Sequence, residues 1–116
     1  MESKLVIHLD LDEQKRMTRA LGNIENFLGI VPAEESSISV VANSGGVDFF
    51  RKEKAGDFKD KIEKLSNQGV KFLICNNTLS KKGIDPSELL KVCEIIPAGI
   101  VTLVQLQKEG YAYVKP

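Results

Sequence analysis

Apolar and polar positions along the chain switch repeatedly between short continuous runs and a three-to-four-residue period. Lys4 to Leu9 carries Leu5-Val6-Ile7-His8-Leu9, a nearly unbroken apolar run of the kind made by a strand covered on both faces. From Glu13 onward Met17, Ala20, Leu21, Ile24, Phe27 and Leu28 recur at spacings of three and four, which predicts a long helix with one apolar face. Asp10 and Asp12 offer it an N-cap, and Gly29 followed by Pro32 stops it. Ser37 to Ala42 is a second strand, ending in the turn cluster Asn43-Ser44-Gly45-Gly46, after which Val47 to Phe50 predicts a short helix. Phe58, Ile62 and Leu65 mark an amphipathic helix closed by Asn67-Gln68-Gly69. Val70 to Cys75 is a third strand, and Asn76-Asn77-Thr78 a polar helix start that runs to Gly83. Asp85-Pro86 begins another helix with Glu88 in its first turn, and Cys93 falls on that helix between Val92 and Glu94. Ile95 and Ile96 form a fourth strand ended by Pro97. Gly99 to Glu109 is a last helix, and Tyr111 to Val114 a closing strand.

Strands alternating with helices at this spacing predict an α/β fold of three layers, with the five strands in a parallel or mostly parallel sheet and right-handed crossovers. At 116 residues the chain fits one domain, residues 1–116, and 42% hydrophobic residues are enough for its core. The last helix carries Ile100, Val101, Leu103, Val104 and Leu106 around most of its circumference, more than one sheet face covers, so it is expected to bury against either a second subunit or the monomer's own interior. The charged stretch from Arg51 to Lys61 alternates in sign and reads as a solvated helix face.

Sixteen Lys and Arg against sixteen Asp and Glu leave a formal net charge of zero, which argues against binding nucleic acid by phosphate neutralisation. No apolar run approaches the roughly 20 residues that span a bilayer, and the stretch after Lys4 is too short for a secretory leader, so no membrane association and a cytoplasmic location are expected. Cys75 and Cys93 do not make a disulfide framework or a zinc pattern, and with His8 the only histidine no metal site is expected.

In open parallel sheets ligands bind beyond the carboxyl ends of the strands. The loops expected at that edge are Asp10 to Asp12, Asn43 to Gly46, Cys75 to Thr78 and Pro97 to Gly99. Cys75 ends a buried strand immediately before a helix start, where free amides favour thiolate over thiol, so it is either a reactive nucleophile or a small core residue. Cys93 reads as a core residue. His8 approaches Cys75 only if their strands are neighbours, and is otherwise a satisfied buried histidine. Ser44-Gly45-Gly46 lacks the pattern of a nucleophile elbow, a phosphate loop or a dinucleotide fingerprint, and reads as a turn or as a rim of amides facing Cys75.

Val70-Lys71-Phe72-Leu73-Ile74-Cys75-Asn76-Asn77-Thr78-Leu79, Ile96-Pro97-Ala98-Gly99-Ile100-Val101 and the tail Glu109-Gly110-Tyr111-Ala112-Tyr113, together with Val40 to Val47, resemble the small single-domain proteins of the DsrE/DsrF-like family. The resemblance implies a three-layer fold, assembly into homo-oligomers (trimers or hexamers), and sulfur transfer in which one cysteine takes a sulfane sulfur as a persulfide from a donor protein and passes it to an acceptor protein. The position matching that cysteine is Cys75. Asn76, Asn77 and Thr78 would then supply donors to the sulfur anion, with Asn43, Ser44, Gly45 and Gly46 as the opposite wall, and no metal or other cofactor is called for. Two other readings use the same residues. One is a non-catalytic oligomeric module that binds a small anion, a metabolite or a protein, and the other is a redox sensor in which Cys75 and Cys93 pair, which needs Cα atoms closer than about 7 Å.

Overall fold

A computed structural model describes residues 2–116. Five strands, β1 (Ser3–Leu9), β2 (Ser36–Ala42), β3 (Lys71–Cys75), β4 (Cys93–Ile96) and β5 (Ala112–Val114), form one sheet in the order β4-β3-β2-β1-β5. Every strand pairing in the sheet is parallel, the all-parallel form of the expected α/β fold. The helices are α1 (Gln14–Leu28), α2 (Phe58–Asn67), α3 (Asn76–Lys82) and α4 (Gly99–Lys108), with 3-10 segments at Ala33–Glu35, Ser44–Phe50 and Pro86–Glu88.

The strand order determines which face each helix covers. The steps from β1 to β4 all move the same way across the sheet, whereas β4 to β5 returns across its full width. Right-handed crossovers therefore place the first connections on one face and α4 alone on the other. The cores agree. On the first face Met17, Ala20, Leu21 and Ile24 of α1, Ile62 and Leu65 of α2, Phe50 and Leu79 pack with Ile7, Leu9, Val40, Phe72 and Ile74. On the second, Leu103 of α4 covers Val6, Val41 and Leu73.

Several elements depart from the sequence expectation for identifiable reasons. Neither Asp10 nor Asp12 caps α1: Glu13 holds the N-cap position without a side-chain hydrogen bond, because the Asp10 carboxylate accepts from Lys115 Nζ at 2.9 Å instead. The helix expected from Asp85 is a single 3-10 turn closed by a capping box of Asp85 and Glu88. It stops because Leu89 and Leu90 turn into the core, which leaves Cys93 as the first residue of the edge strand β4, not a helix residue. Arg51 forms an isolated antiparallel bridge with Leu89, turns follow from Lys52, and helix begins at Phe58. Arg51 there is drawn inward to Asp48, Glu53 and Glu88. The short helix expected from Val47 starts earlier, at Ser44.

Ile100, Val101 and Val104 on the outer side of α4 remain 66%, 52% and 46% exposed, so the chain's own interior does not absorb them. Among the described residues no helix is long and apolar enough to cross a membrane.

Candidate functional site

The sheet positions the Cys75 thiol at a place where two connections part. Cys75 ends β3 in register with Ile96 of β4. Beyond them the chain after β3 enters α3, whose Leu79 joins the larger core, and the chain after β4 enters α4 on the other face. Neighbouring strands whose connections leave to opposite faces open a crevice at their carboxyl ends. A cleft of about 380 Å3 lies there, lined by Cys75, Asn77, Thr78, Lys81 and Lys82 from β3 and α3, by Asn43, Ser44 and Gly45 after β2, and by Ala98, Gly99 and Ile100 at the start of α4.

Cys75 is 5% exposed and takes the N-cap position of α3 without making a side-chain capping hydrogen bond. The Gly99 amide, the first of α4, donates to its Sγ at 3.3 Å. Burial pushes the thiol up, but the Gly99 amide, the Thr78 hydroxyl and the amides of Thr78 and Asn77 outweigh it, and the thiol lies below its ordinary value. Cys93 differs: burial pushes it up to about 12, against a weaker opposing hydrogen bond with Leu90. The two thiols of the chain are thus chemically unlike, Cys75 held toward thiolate and Cys93 held as thiol.

Thr78 is itself held in place. Its Oγ1 accepts from the Ser44 amide at 3.0 Å, which leaves its own proton for the sulfur. That contact closes the β2 loop onto α3 and holds Ser44 at φ +49°, a left-handed conformation uncommon outside glycine.

The expected site residues divide accordingly. Cys75, Asn77, Thr78, Asn43, Ser44 and Gly45 converge on the cleft. Asn76 does not: it is the first residue of α3, exposed, and absent from the lining. Gly46 is buried one residue past the cleft, where a Cβ would collide with the Leu9 carbonyl, so its smallness serves the packing of the β2 loop on β1. Lys81, Lys82, Ala98, Gly99 and Ile100 complete the lining. Pro97 to Gly99 was legible as an edge loop, but that its amide reaches Cys75 depends on strand order.

His8 does not meet Cys75, because β2 lies between β1 and β3. Half-buried, it bonds Asn43 Oδ1 through Nε2 at 2.9 Å and Tyr113 through Nδ1 at 2.6 Å. Cys93 pairs in register with Phe72, three residues before Cys75, an offset along the strands of about 10 Å. That exceeds the reach of a disulfide, and both cysteines are free, so the redox-sensor pairing is overturned. A larger hollow of about 540 Å3, bordered by Asp12, Asp48, Lys54 and Phe58, contains no thiol or imidazole.

Comparison with known proteins places these features. No curated protein matches the chain. MTH1491 from Methanobacterium thermoautotrophicum, a protein of unknown function, is 32% identical and superposes with a TM-score of 0.91, covering 99% of this chain and 100% of its own. The ychN protein from E. coli shares the fold at a TM-score of 0.79 and 17% identity, over 98% of this chain and 99% of its own. The model of the DsrE/DsrF-like family matches residues 5–116. With the all-parallel sheet and a match that takes in both walls of the Cys75 cleft, the chain belongs to the DsrE/DsrF-like family.

Proposed function

We propose that the protein is a sulfur carrier or sulfurtransferase-like subunit that accepts sulfane sulfur as a persulfide on Cys75. The observation that carries this reading is the Gly99 amide donating to Cys75 Sγ at the mouth of the cleft, with Thr78 and Asn77 adding to the same effect. A sulfur nucleophile needs the thiolate, which these donors favour, and access, which falls to the cleft that Cys75 lines. In the proposed step the Cys75 thiolate attacks the outer sulfur of a persulfide donor, R–S–S⁻. The donor's S–S bond breaks, R–S⁻ leaves with the electron pair, and Cys75–S–S⁻ forms. An acceptor thiolate then attacks that outer sulfur and regenerates the Cys75 thiolate. No net oxidation or reduction occurs. Membership of a family associated with sulfur relay supports the same reading. A free thiol held toward thiolate fits a reducing compartment such as the cytoplasm.

Incubation with a low-molecular-weight persulfide, followed by intact mass measurement, tests it. Addition of one sulfur that is lost on reduction and absent in Cys75→Ser is the expected result. Unchanged mass, or addition at Cys93 alone, overturns it.

A second reading, a non-catalytic module for a small anion or metabolite, is favoured by one feature: the cleft is lined by Lys81 and Lys82 and by no carboxylate. It predicts an anion bound without any sulfur gained by Cys75. Under either reading the exposed Ile100, Val101 and Val104 fit burial between copies of the chain in a homo-oligomer, trimer or hexamer. Sedimentation of wild type against Val101→Asp measures it, with a monomeric wild type as the contrary result.

A further inference from the structure

Asn43 stands beside the proposed sulfur acceptor. Val41 pairs with Leu73 across β2 and β3, and two residues further each chain reaches Asn43 and Cys75, on the same face. Gly99 fits between them. Its amide bonds the sulfur at 3.3 Å, and a Cβ built on it would touch Asn43 Cβ at 3.4 Å and Cγ at 3.6 Å.

The carboxamide of Asn43 is oriented from the side away from the cysteine. Its Oδ1 faces His8 Nε2 at 2.9 Å. An amide oxygen only accepts, so Nε2 carries the proton. In the neutral imidazole Nδ1 is then an acceptor, and the Tyr113 hydroxyl, 2.6 Å away, donates to it. With the ring in that form, the proton positions along Tyr113–His8–Asn43 run in one direction. With Oδ1 occupied by His8, the Asn43 NH2 group takes no protein acceptor among the described residues, and Asn43 lines the cleft.

We infer that Tyr113 and His8 are positioning residues that hold the Asn43 carboxamide with its oxygen toward β1 and its NH2 toward the cleft, where it donates to the outer sulfur of a persulfide on Cys75. The inference rests on the sulfur-carrier reading and adds a division of labour to it. Gly99 and Thr78 serve the inner sulfur, which is the thiolate before transfer. Asn43 serves the second sulfur, which stands about 2 Å beyond the first and bears the charge once the persulfide forms. A histidine on a strand that never touches the cysteine therefore acts on only one of the two states of the site.

Three measurements test it. Nitrogen NMR of the His8 ring reads the tautomer, and a neutral ring protonated on Nε2 is expected; protonation on Nδ1 overturns the chain. The lifetime of the Cys75 persulfide, followed by mass, is expected to fall about tenfold in Asn43→Ala, the scale of one hydrogen bond to a charged group, and by less in His8→Leu and Tyr113→Phe. His8→Gln, whose amide can donate to Asn43, is expected to recover part of the loss. The pH profile of Cys75 alkylation is expected to stay in place in His8→Leu, because its main donors are untouched. A persulfide lifetime unchanged in Asn43→Ala overturns the inference and leaves the carrier reading standing. A shift of the alkylation profile in His8→Leu with no rescue by His8→Gln assigns His8 a merely structural role and also overturns it. A wild-type protein that takes up no sulfur removes the carrier reading, and this inference falls with it.

Discussion

The amide of Gly99 and the sulfur of Cys75 are 24 residues apart in the chain and 3.3 Å apart in space. They meet because β3 and β4 are neighbours while their connections leave to opposite faces of the sheet. The start of α4 is thereby brought across the end of β3, and a backbone donor, which cannot titrate, supports the thiolate.

Thr78→Val keeps the shape of the side chain and removes both of its hydrogen bonds. The Cys75 thiol is expected to rise toward its ordinary value, moving the alkylation midpoint to higher pH. The Ser44 amide loses its acceptor, costing about 1 kcal/mol in urea denaturation. An unmoved midpoint would show that the hydroxyl does not act on the sulfur.

The two cysteines should bend the stability curve in opposite senses. Cys75 is an acid whose folded pKa lies below its ordinary value of 9.0, so between those two values the unfolded chain holds a proton that the folded chain has released, and stability rises with pH. Its contribution is complete above 9.0 and fades as pH falls through the folded value. Cys93 is pushed up to about 12 from 9.0, so between these values the folded chain keeps a proton the unfolded one has lost, and stability falls as pH rises. Denaturation across pH 6–11 or so should lose the rise in Cys75→Ser and the fall in Cys93→Ser. The same curves in both variants would contradict the assignment.

Leu103→Ala tests whether the thin face of the sheet governs the site. Leu103 is 3% exposed and is the one fully buried α4 side chain over Val6, Val41 and Leu73, with Leu106 of the same helix partly buried beside it. Truncation is expected to destabilise by about 2–5 kcal/mol. It should also raise the Cys75 thiol, since α4 carries the Gly99 amide. Lower stability with an unchanged thiol would mean that the amide is held by the loop and not by the helix's seat.

Gly46→Ala distinguishes a packing role from a binding role. The added methyl meets the Leu9 carbonyl, and a cost of about 1–3 kcal/mol is expected, as for overpacking elsewhere. Full stability with altered ligand binding would instead place Gly46 in the cleft.

Much of this was legible in the chain, since continuous apolar runs marked β1, β2 and β3 and the residue ending each gave the loops at the carboxyl edge. Cys75, Asn77, Thr78 and Asn43 followed from that alone. β4 was harder to read. It is a four-residue edge strand with exposed Glu94 and Ile95, so its apolar signal is weak, and the favourable helix start at Asp85-Pro86 drew Cys93 into a helix that ends after one turn. Strand order has no local signal, and with it went the Gly99 contact, the separation of His8 from Cys75 and the arrival of Lys81 and Lys82 at the cleft. The failed Asp10 cap has the same origin, because its competitor, Lys115, lies 105 residues away.

One helix supplies the cover of an entire sheet face, and the first turn of that helix grips the thiol. The layer has no redundancy. Anything that clasps the bare outer ridge at Ile100, Val101 and Val104 also stiffens the hold on the nucleophile, and anything that prises the ridge away slackens it. If copies of the chain assemble through that ridge and Cys75 carries sulfur as proposed, quaternary contact and sulfur chemistry are two handles on the same lever, and a neighbour tunes reactivity without entering the crevice.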